Sequence, residues 1–290
     1  MEEHNWLLMG SEYYTKEFYE ARREGALRSA EVVVPLVLKL LAARSVVDVG
    51  CGDGNWLAVF HKLGAEKIIG IDGGYVDPNL LQIPPDCFQA FDLTKSFVLG
   101  RTFDLAVSLE VAEHLPADCA PIFVECLTRL APVVLFSAAI PFQGGANHIN
   151  EQWPEKWVGL FKEHGYLPID CIRKRVWQNE AVEWWYAQNM LVFARANVLE
   201  RNTALKAEFE RTNVNQLALV HPRQFLHLHA LHREAVVRAE QQALPSGVRE
   251  ALRLLLVCLK NSLKSRRSSI AGRTMDLHKD QTPADSPLKS

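Results

Sequence analysis

The chain is organised around one short stretch, in which an apolar, β-branched run at residues 46–49 breaks into alternating glycines at Gly50, Gly52 and Gly54. Such a run predicts a buried strand that ends in a tight turn, with a helix beginning just beyond it. Glycine tolerates positive φ angles and lets a ligand approach bare main chain. Because ligands bind beyond the carboxyl ends of the strands in an open parallel sheet, this turn should form the floor of a binding site.

Further strands and helices alternate on either side of this stretch. Strands are predicted at residues 67–71, 88–91, 103–109 and 133–137, with a late antiparallel pair at 171–177 and 184–193. Helices are predicted at residues 13–30, 30–43, 56–63 and 120–130. The alternation predicts an α/β fold with a doubly wound, Rossmann-like sheet that is mostly parallel and carries an antiparallel edge strand.

Changes in composition divide the chain into four predicted segments. Residues 1–44 should form N-terminal helices that cover the site, and residues 45–196 should form the sheet domain. Residues 197–264 predict a helical C-terminal extension, a candidate homodimer interface whose apolar and basic part at 248–267 could contact a membrane surface. Serine, proline and charge dominate residues 265–290, which predicts a disordered tail.

The composition narrows the classes of function. The formal net charge of −2 over 290 residues argues against a dedicated nucleic-acid binder, which normally carries a basic excess. Six scattered cysteines without a CxxC pair indicate reduced thiols. The sequence shows no secretory signal and no apolar stretch near the ~20 residues that span a bilayer. We therefore expect a soluble, cytoplasmic protein.

The glycine spacing separates two classes of nucleotide-binding protein. In the GxGxxG fingerprint of dinucleotide-binding proteins the third glycine would fall at Asn55, which disfavours a nicotinamide-dependent oxidoreductase. The spacing here is instead Asp48-x-Gly50-x-Gly52-x-Gly54, with acidic residues at the ends of the following predicted strands. Over residues 40–195 this pattern resembles the class I S-adenosylmethionine-dependent methyltransferases.

The resemblance implies a cofactor site. Asp48 would orient the amino group of S-adenosylmethionine, Asp72 would accept from both ribose hydroxyls, and Asp92 would accept from the adenine amino group. A carboxylate suits the ribose because it accepts two hydrogen bonds at once. The remaining residues implied to contact the cofactor are Gly50, Gly52, Gly54, Leu93 and Glu110. Asp53, within the glycine turn, is predicted to be a solvated turn residue.

Residues 147–154 depart from the strand–helix alternation and are the candidate acceptor side of the site. This block resembles a motif of bacterial methyltransferases associated with sugars and surface polysaccharides. Methyl transfer to a hydroxyl requires removal of its proton, and the usual pKa of histidine makes His148 the candidate base. Asn150, Glu151 and Trp153 would bind the acceptor. The alternative is that His148 and Asn150 only fix the loop.

A second alternative involves a metal ion. Glu110, Glu113, His114 and His148 are similar to the metal site of small-RNA 2′-O-methyltransferases, in which a divalent ion activates a ribose hydroxyl. Against it, Glu-His-Leu after the fourth strand is widespread in methyltransferases that use no metal. We therefore favour S-adenosylmethionine as the cofactor without a metal.

The sequence thus predicts methyl transfer from S-adenosylmethionine to a hydroxyl of a sugar, a glycan or another small molecule, with no nucleic-acid partner. A metal-assisted enzyme acting on a ribose hydroxyl is one alternative. A non-catalytic scaffold that retains the methyltransferase fold is another. Intact Asp48, Asp72 and Asp92 argue against that scaffold.

Overall fold

The strand predicted from the glycine stretch lies in the middle of a seven-stranded sheet. In the computed structural model, which describes residues 16–243, 247–248 and 250–259, the strand order is β3-β2-β1-β4-β5-β7-β6. Strands β1 to β5 are parallel, and β7 pairs antiparallel with both β5 and β6. The strands are β1 Ser45–Val49, β2 Lys67–Asp72, β3 Phe88–Ala90, β4 Leu105–Leu109, β5 Val133–Ser137, β6 Tyr166–Ile169 and β7 Leu191–Arg195. The predicted fold class is confirmed.

Helices surround this sheet or follow it. They include α1 Lys16–Leu41, α2 Asn55–Lys62, α3 Ala120–Leu130, α4 Pro154–Glu163, α5 Arg173–Val176, α6 Trp184–Asn189, α7 Ala196–Arg201, α8 Thr203–Glu210 and α9 Pro222–Ala243. Short 3-10 turns occupy Pro78–Leu80, Pro85–Cys87, Ala112–His114 and Ala117–Cys119. The predicted helix at 120–130 and strand at 133–137 are reproduced at both ends.

Alternate residues of β1 supply two separate cores. Val46 packs into a cluster with buried side chains of α1 and α2, whereas Val47 and Val49 pack into a cluster with α3 and α4. Strand side chains alternate between the two faces of a sheet, so a continuous apolar strand requires cover on both. Each fully buried aliphatic side chain contributes about 1.5–3 kcal/mol, and this anchors the strand that precedes the glycine turn.

Two predicted sets of elements are wrong in detail. The predicted helices at 13–30 and 30–43 are one helix in the described part, α1, which continues through Pro35. The antiparallel pair exists, and the predicted strand at 184–193 includes the first three residues of β7, but its partner β6 lies before the stretch predicted at 171–177. Those two stretches contain α5 and α6, since their aromatic and β-branched residues pack as helices and propensity alone misassigns them.

The first compact unit of the chain extends to Phe225, beyond the domain boundary predicted at 196. Helices α7 and α8 belong to this unit, and Leu205 of α8 is fully buried. The Asn202 side chain accepts a hydrogen bond from the N–H of Leu205 and donates one to the Leu40 carbonyl. These two hydrogen bonds connect the start of α8 to the end of α1. The first helices of the predicted extension therefore pack within the first unit, and the four segment boundaries stay predictions.

The second unit begins at Leu226 and contains the remainder of α9. Residues 250–259 are helical and their apolar side chains are exposed. None of the helices within the described residues combines the length and the apolar character that a membrane-spanning segment needs. The homodimer interface and the membrane contact at 248–267 stay predictions, and the predicted tail at 265–290 lies outside the described residues.

A buried carboxylate makes a testable contribution to the stability of the first unit. Glu208 of α8 is 4% exposed, and Lys174, Arg175 and Arg211 lie within 2.8 to 3.3 Å of its carboxylate oxygens. The hydrogen bond from Arg175, followed by that from Lys174, lowers the pKa of Glu208 from 4.5 to about 2 against the effect of burial.

We predict that Glu208→Gln lowers the free energy of unfolding at pH 7 by about 2 kcal/mol. Because the pKa is lower in the folded state, the contribution is present at neutral pH and disappears as the pH falls from about 4 toward 2. Urea titrations at pH 7 and pH 3 measure the difference. Glu66→Gln, in an exposed pair with Arg44, is the control and should change stability by under about 0.5 kcal/mol. Equal effects of the two substitutions would contradict the prediction.

Candidate active site

A cleft lies beyond the carboxyl ends of β1, β2 and β4, where the sequence places the binding site. Its wall includes seven of the predicted cofactor residues: Asp48, Gly50, Gly52, Asp72, Asp92, Leu93 and Glu110. The eighth, Gly54, precedes α2 as its N-cap residue. The wall also includes Arg22, Arg23 and Ala26 of α1, the aromatic residues Trp56, Tyr75, Phe91, Trp185 and Tyr186, and His114 and Asn147.

The glycine turn and the turn after β4 approach each other closely. Gly50, Gly52 and Gly54 have φ angles of 85°, 55° and 86°. A Cβ atom on Gly50 would lie 2.3 Å from a methyl carbon of Val111, which follows β4. The N–H groups of Gly50 and Cys51 both donate to the carbonyl of Ile71 at the end of β2. Glycine at position 50 is therefore required by both backbone conformation and space.

Two buried carboxylates occupy the ends of β1 and β2. Asp72 accepts hydrogen bonds from the N–H of Gly52 at 2.7 Å, the N–H of Gly73 at 2.6 Å and the hydroxyl of Tyr75 at 2.7 Å. Burial raises the pKa of Asp72 against these donors. Burial, and secondly the charge of Asp72, raises the pKa of Asp48 well above its usual range. The floor of the cleft thus concentrates negative charge that a positively charged or hydrogen-donating ligand would stabilise.

Asp92 lies in the cleft wall just after β3, the edge strand that pairs with β2. Its carboxylate accepts from the N–H and hydroxyl of Thr94 and pairs with Lys95 at 3.0 Å. Burial opposes ionisation of Asp92, but these hydrogen bonds outweigh it and leave its pKa below the usual value. Asp92 is therefore a charged acceptor at the β3 side of the cleft.

The prediction that Asp53 is a solvated turn residue is wrong. Asp53 is 4% exposed, accepts from Arg23 Nε of α1 at 2.8 Å and accepts from the side chain of Asn55. Arg23 also donates to the Leu80 carbonyl at 3.3 Å. Burial raises the pKa of Asp53, and Arg23 acts against this shift. The ion pair between Arg23 and Asp53 holds α1 against the glycine turn, so residues of α1 line the cleft.

Glu151 shapes the loop at 142–150, which carries His148. Its carboxylate accepts from the N–H groups of Phe142 at 2.7 Å and Gly144 at 2.8 Å, and lies 3.0 Å from His148 Nδ1. Asn150 is buried and donates to the carbonyl of Ala112. Asn150, Glu151, Trp153 and His148 are not among the residues that line the cleft, and Trp153 is 42% exposed before α4. The Asn150 and Glu151 side chains thus stabilise the conformation of this loop. For Asn150, this agrees with the alternative given in the sequence analysis, in which Asn150 only fixes the loop.

Three of the four predicted metal ligands come together. Potential ligand atoms of Glu113, His114 and His148 all lie within 4.8 Å of one another. The rings of His114 and His148 meet edge to face at 4.8 Å between centroids, and His114 Nδ1 lies 3.2 Å from the Asn147 carbonyl. Burial, and secondly the charge of His148, lowers the pKa of His114 to about 4. The fourth, Glu110, is held by amide side chains instead.

Glu113 is the unusual member of this cluster. Its side chain is fully buried, and neither carboxylate oxygen has a hydrogen-bond partner among the described residues. Burial, and secondly the charge of Glu110, raises its pKa well above the usual range. A buried polar group without a partner costs about 1–3 kcal/mol, so protonation or a bound cation would stabilise Glu113.

Sequence reasoning missed the amide side chains that bind Glu110. Asn189 Nδ2 donates to both carboxylate oxygens at 3.0 and 3.2 Å, and Gln143 Nε2 donates to one at 2.9 Å. It also missed the aromatic wall, in which Trp56 and Tyr186 meet edge to face at 5.1 Å. A single Gln or Asn has no periodic or motif signal, and the aromatic residues of α6 were assigned to a strand.

The sheet order, the glycine turn and the acidic residues at successive strand ends together define the site of a class I methyltransferase. A family model described as a methyltransferase domain matches residues 19–218, and the chain belongs to this family. The predicted class and its methyl donor, S-adenosylmethionine, are thereby confirmed.

Curated relatives match a shorter part of the chain. Ribosomal protein L11 methyltransferase of Edwardsiella ictaluri is 35% identical over 107 residues, 36% of this chain and 32% of the relative. Ubiquinone biosynthesis O-methyltransferase of a Methylobacterium species is 30% identical over 112 residues, 36% of this chain and 44% of the relative. The matches thus span about a third to under a half of these relatives' lengths.

Similar folds occur among solved structures. The methyltransferase domain of bacterial CtHen1 is 22% identical, covers 59% of this chain and 98% of its own, and has a TM-score of 0.45. Streptomyces venezuelae DesVI is 15% identical, covers 64% of this chain and 98% of its own, and has a TM-score of 0.48.

We predict that Gly50→Ala weakens binding of S-adenosylhomocysteine more than about tenfold, since the new Cβ must displace Val111 from the cleft wall. Gly64→Ala is the matched control, because Gly64 also has a positive φ, 106°, but a Cβ added there would meet nothing within 4 Å. The control should lose about 1 kcal/mol of stability and keep its affinity. Calorimetric titration and thermal unfolding measure both effects. Unchanged affinity in Gly50→Ala would refute the role of this turn.

Proposed function

We propose that this chain transfers the methyl group of S-adenosylmethionine to a hydroxyl of a sugar, a glycan or another small molecule, with His148 as the base. The pairing of His148 Nδ1 with the Glu151 carboxylate at 3.0 Å carries this proposal. A carboxylate at Nδ1 selects the tautomer with its proton there and leaves Nε2 as the acceptor of a proton. The His148 ring contacts the His114 ring edge to face, and His114 and Asn147 line the cleft.

The residues of the cleft fit the cofactor. Gly50 and Gly52 line the cleft with main chain that carries no side chain, and the adjacent carboxylates suit a ligand with hydroxyls and an ammonium group. In this proposal the glycine turn and Asp48 hold the methionine part, Asp72 the ribose, and Asp92 with Leu93 the adenine. When bound, S-adenosylmethionine supplies a methyl group on a positively charged sulfur that leaves as a neutral thioether.

The chain's own contribution is to position the acceptor and take its proton. His148 Nε2 accepts the hydroxyl proton as the new O–C bond forms and the S–C bond breaks. Glu151 stabilises the imidazolium that results, and its bonds to Phe142 and Gly144 keep the loop in place. Trp185 and Tyr186 provide an aromatic face of the kind on which a sugar ring can pack.

We predict that His148→Ala abolishes turnover while the affinity for S-adenosylhomocysteine stays within about threefold, because His148 serves the acceptor rather than the cofactor. An acceptor is first identified by screening nucleotide sugars and glycans with radiolabelled S-adenosylmethionine, and kcat is then compared between variants. His164→Ala, which changes an exposed histidine at the end of α4, is the control. Full activity of His148→Ala on that acceptor would refute the base assignment.

A metal-assisted reaction on a ribose hydroxyl is the second candidate, and Glu113 is the observation that favours it. Its two unpartnered oxygens lie beside the imidazoles of His114 and His148, a donor set that suits a transition-metal ion. Asn147 and Glu151 contact the Nδ1 atoms of the two histidines, as oxygen groups behind metal-bound histidines commonly do. These residues would hold an ion that polarises the acceptor hydroxyl.

The two candidates differ in a binding measurement. We predict that, if the metal-assisted reaction is correct, Mn²⁺ at 100 times its Kd stabilises the EDTA-treated protein by about 2.7 kcal/mol. Glu113→Gln should then abolish the shift, whereas Glu155→Gln, an exposed residue of the first turn of α4, should retain it. A protein that shows no metal-dependent shift and methylates in EDTA supports His148 as the base instead.

A further inference from the structure

A chain of buried amide side chains leads from the interior of the first unit to the cleft. Gln188 Oε1 accepts from the main-chain N–H of His221 at 2.7 Å. Gln188 Nε2 donates to Gln143 Oε1 and to Asn189 Oδ1, both at 3.1 Å. Gln143 and Asn189 then donate to the carboxylate of Glu110. The three amide side chains are between 1% and 7% exposed.

The direction of these hydrogen bonds is fixed at both ends. The N–H of His221 can only donate, so the oxygen of Gln188 must face it and its nitrogen must face Gln143 and Asn189. The same reasoning orients the next pair, whose oxygens are used by Gln188 and whose nitrogens therefore point to Glu110. No flipped amide satisfies this network.

The network therefore ends at the Glu110 carboxylate, which accepts hydrogen bonds from the last two amides. Glu110 receives three contacts from two amides, whereas a carboxylate has about four acceptor positions. The Ser137 hydroxyl and Glu113 also interact with this carboxylate on its buried side. The Glu110 side chain is nevertheless partly exposed and lines the cleft, so the carboxylate that the amides hold in place faces the ligand. Val111, the next residue, contacts Gly50, so Glu110 lies beside the glycine turn. Glu110 itself has a φ of 55°, a conformation that directs it away from a regular strand end.

We infer that Gln143, Gln188 and Asn189 are positioning residues that present the Glu110 carboxylate to the cationic, amino acid end of the cofactor. The inference rests on the proposed function and specifies which part of the cofactor Glu110 recognises. Gln143 belongs to the loop that carries His148, and Asn189 ends the helix that carries Trp185 and Tyr186. Through these hydrogen bonds, the Glu110 carboxylate connects the loop that carries His148 and helix α6 to the part of the cleft that would bind the cofactor.

The test compares three ligands by calorimetry on the full chain. S-adenosylmethionine and S-adenosylhomocysteine both carry the amino acid end with its ammonium group, whereas 5′-deoxy-5′-methylthioadenosine lacks this end. We expect Gln143→Met and Asn189→Leu to weaken the binding of the first two ligands about tenfold, because each substitution removes hydrogen bonds that hold the Glu110 carboxylate in place. The affinity for 5′-deoxy-5′-methylthioadenosine should stay within about twofold, which also shows that each variant is folded.

Two further variants make the result decisive. Glu110→Gln should reproduce the ligand pattern of Asn189→Leu, and Gln152→Met, which removes an amide that bonds only to Asn150 through its side chain, should change none of the affinities. Equal weakening of all three ligands, or of none, in Gln143→Met and Asn189→Leu would overturn the positioning role. Failure of the folded wild-type chain to bind S-adenosylmethionine would instead overturn the proposed function on which the inference rests.

Discussion

The close approach of the turns after β1 and β4 determines the shape of the site. Gly50 has a φ of 85° and no space for a Cβ against Val111, so the two turns form one continuous floor. This contact depends on the central position of β1, which pairs with β2 on one side and β4 on the other. The cores on both faces of β1 hold these strands in register, and the floor is consequently as rigid as the middle of the sheet.

Asp48, Asp72 and Glu110 line this floor, Glu113 is buried in the turn after β4, and the four carboxylates are stabilised in different ways. Asp72 and Glu110 have several hydrogen-bond donors, whereas burial raises the pKa of Asp48 and Glu113 well above their usual range. Like charges in a poorly solvated site cost free energy, and the fold retains them here at the expense of stability. A cationic ligand would relieve that cost, so part of the binding free energy is already present in the unliganded chain.

The sequence predicts this floor well because its signals are local. A β-branched run, three glycines and an acidic residue at each strand end have fixed spacing, and the structure places Asp48, Asp72, Asp92 and Glu110 at one edge of the sheet. The partners of these groups come from distant positions without such spacing. Arg23 reaches Asp53 across 30 residues, and Asn189 reaches Glu110 across 79. The burial of Asp53, the strand β6 and the start of β7 were not predicted correctly because they depend on tertiary packing rather than on local propensity.

The role that His148 could play depends on whether the Glu113 carboxylate is protonated or binds a cation. His148 Nε2 has one lone pair, so it can take a proton from the acceptor or bind a metal ion, but not both. A fully buried carboxylate without donors is stable when it is protonated or when a cation binds it. In the protonated state Glu113 is neutral and leaves His148 free as a base. If a metal ion were bound, Glu113, His114 and His148 would hold it, and it would polarise the acceptor hydroxyl. The fold supports both arrangements with the same loop, and the protonation state of one buried glutamate therefore separates the two mechanisms.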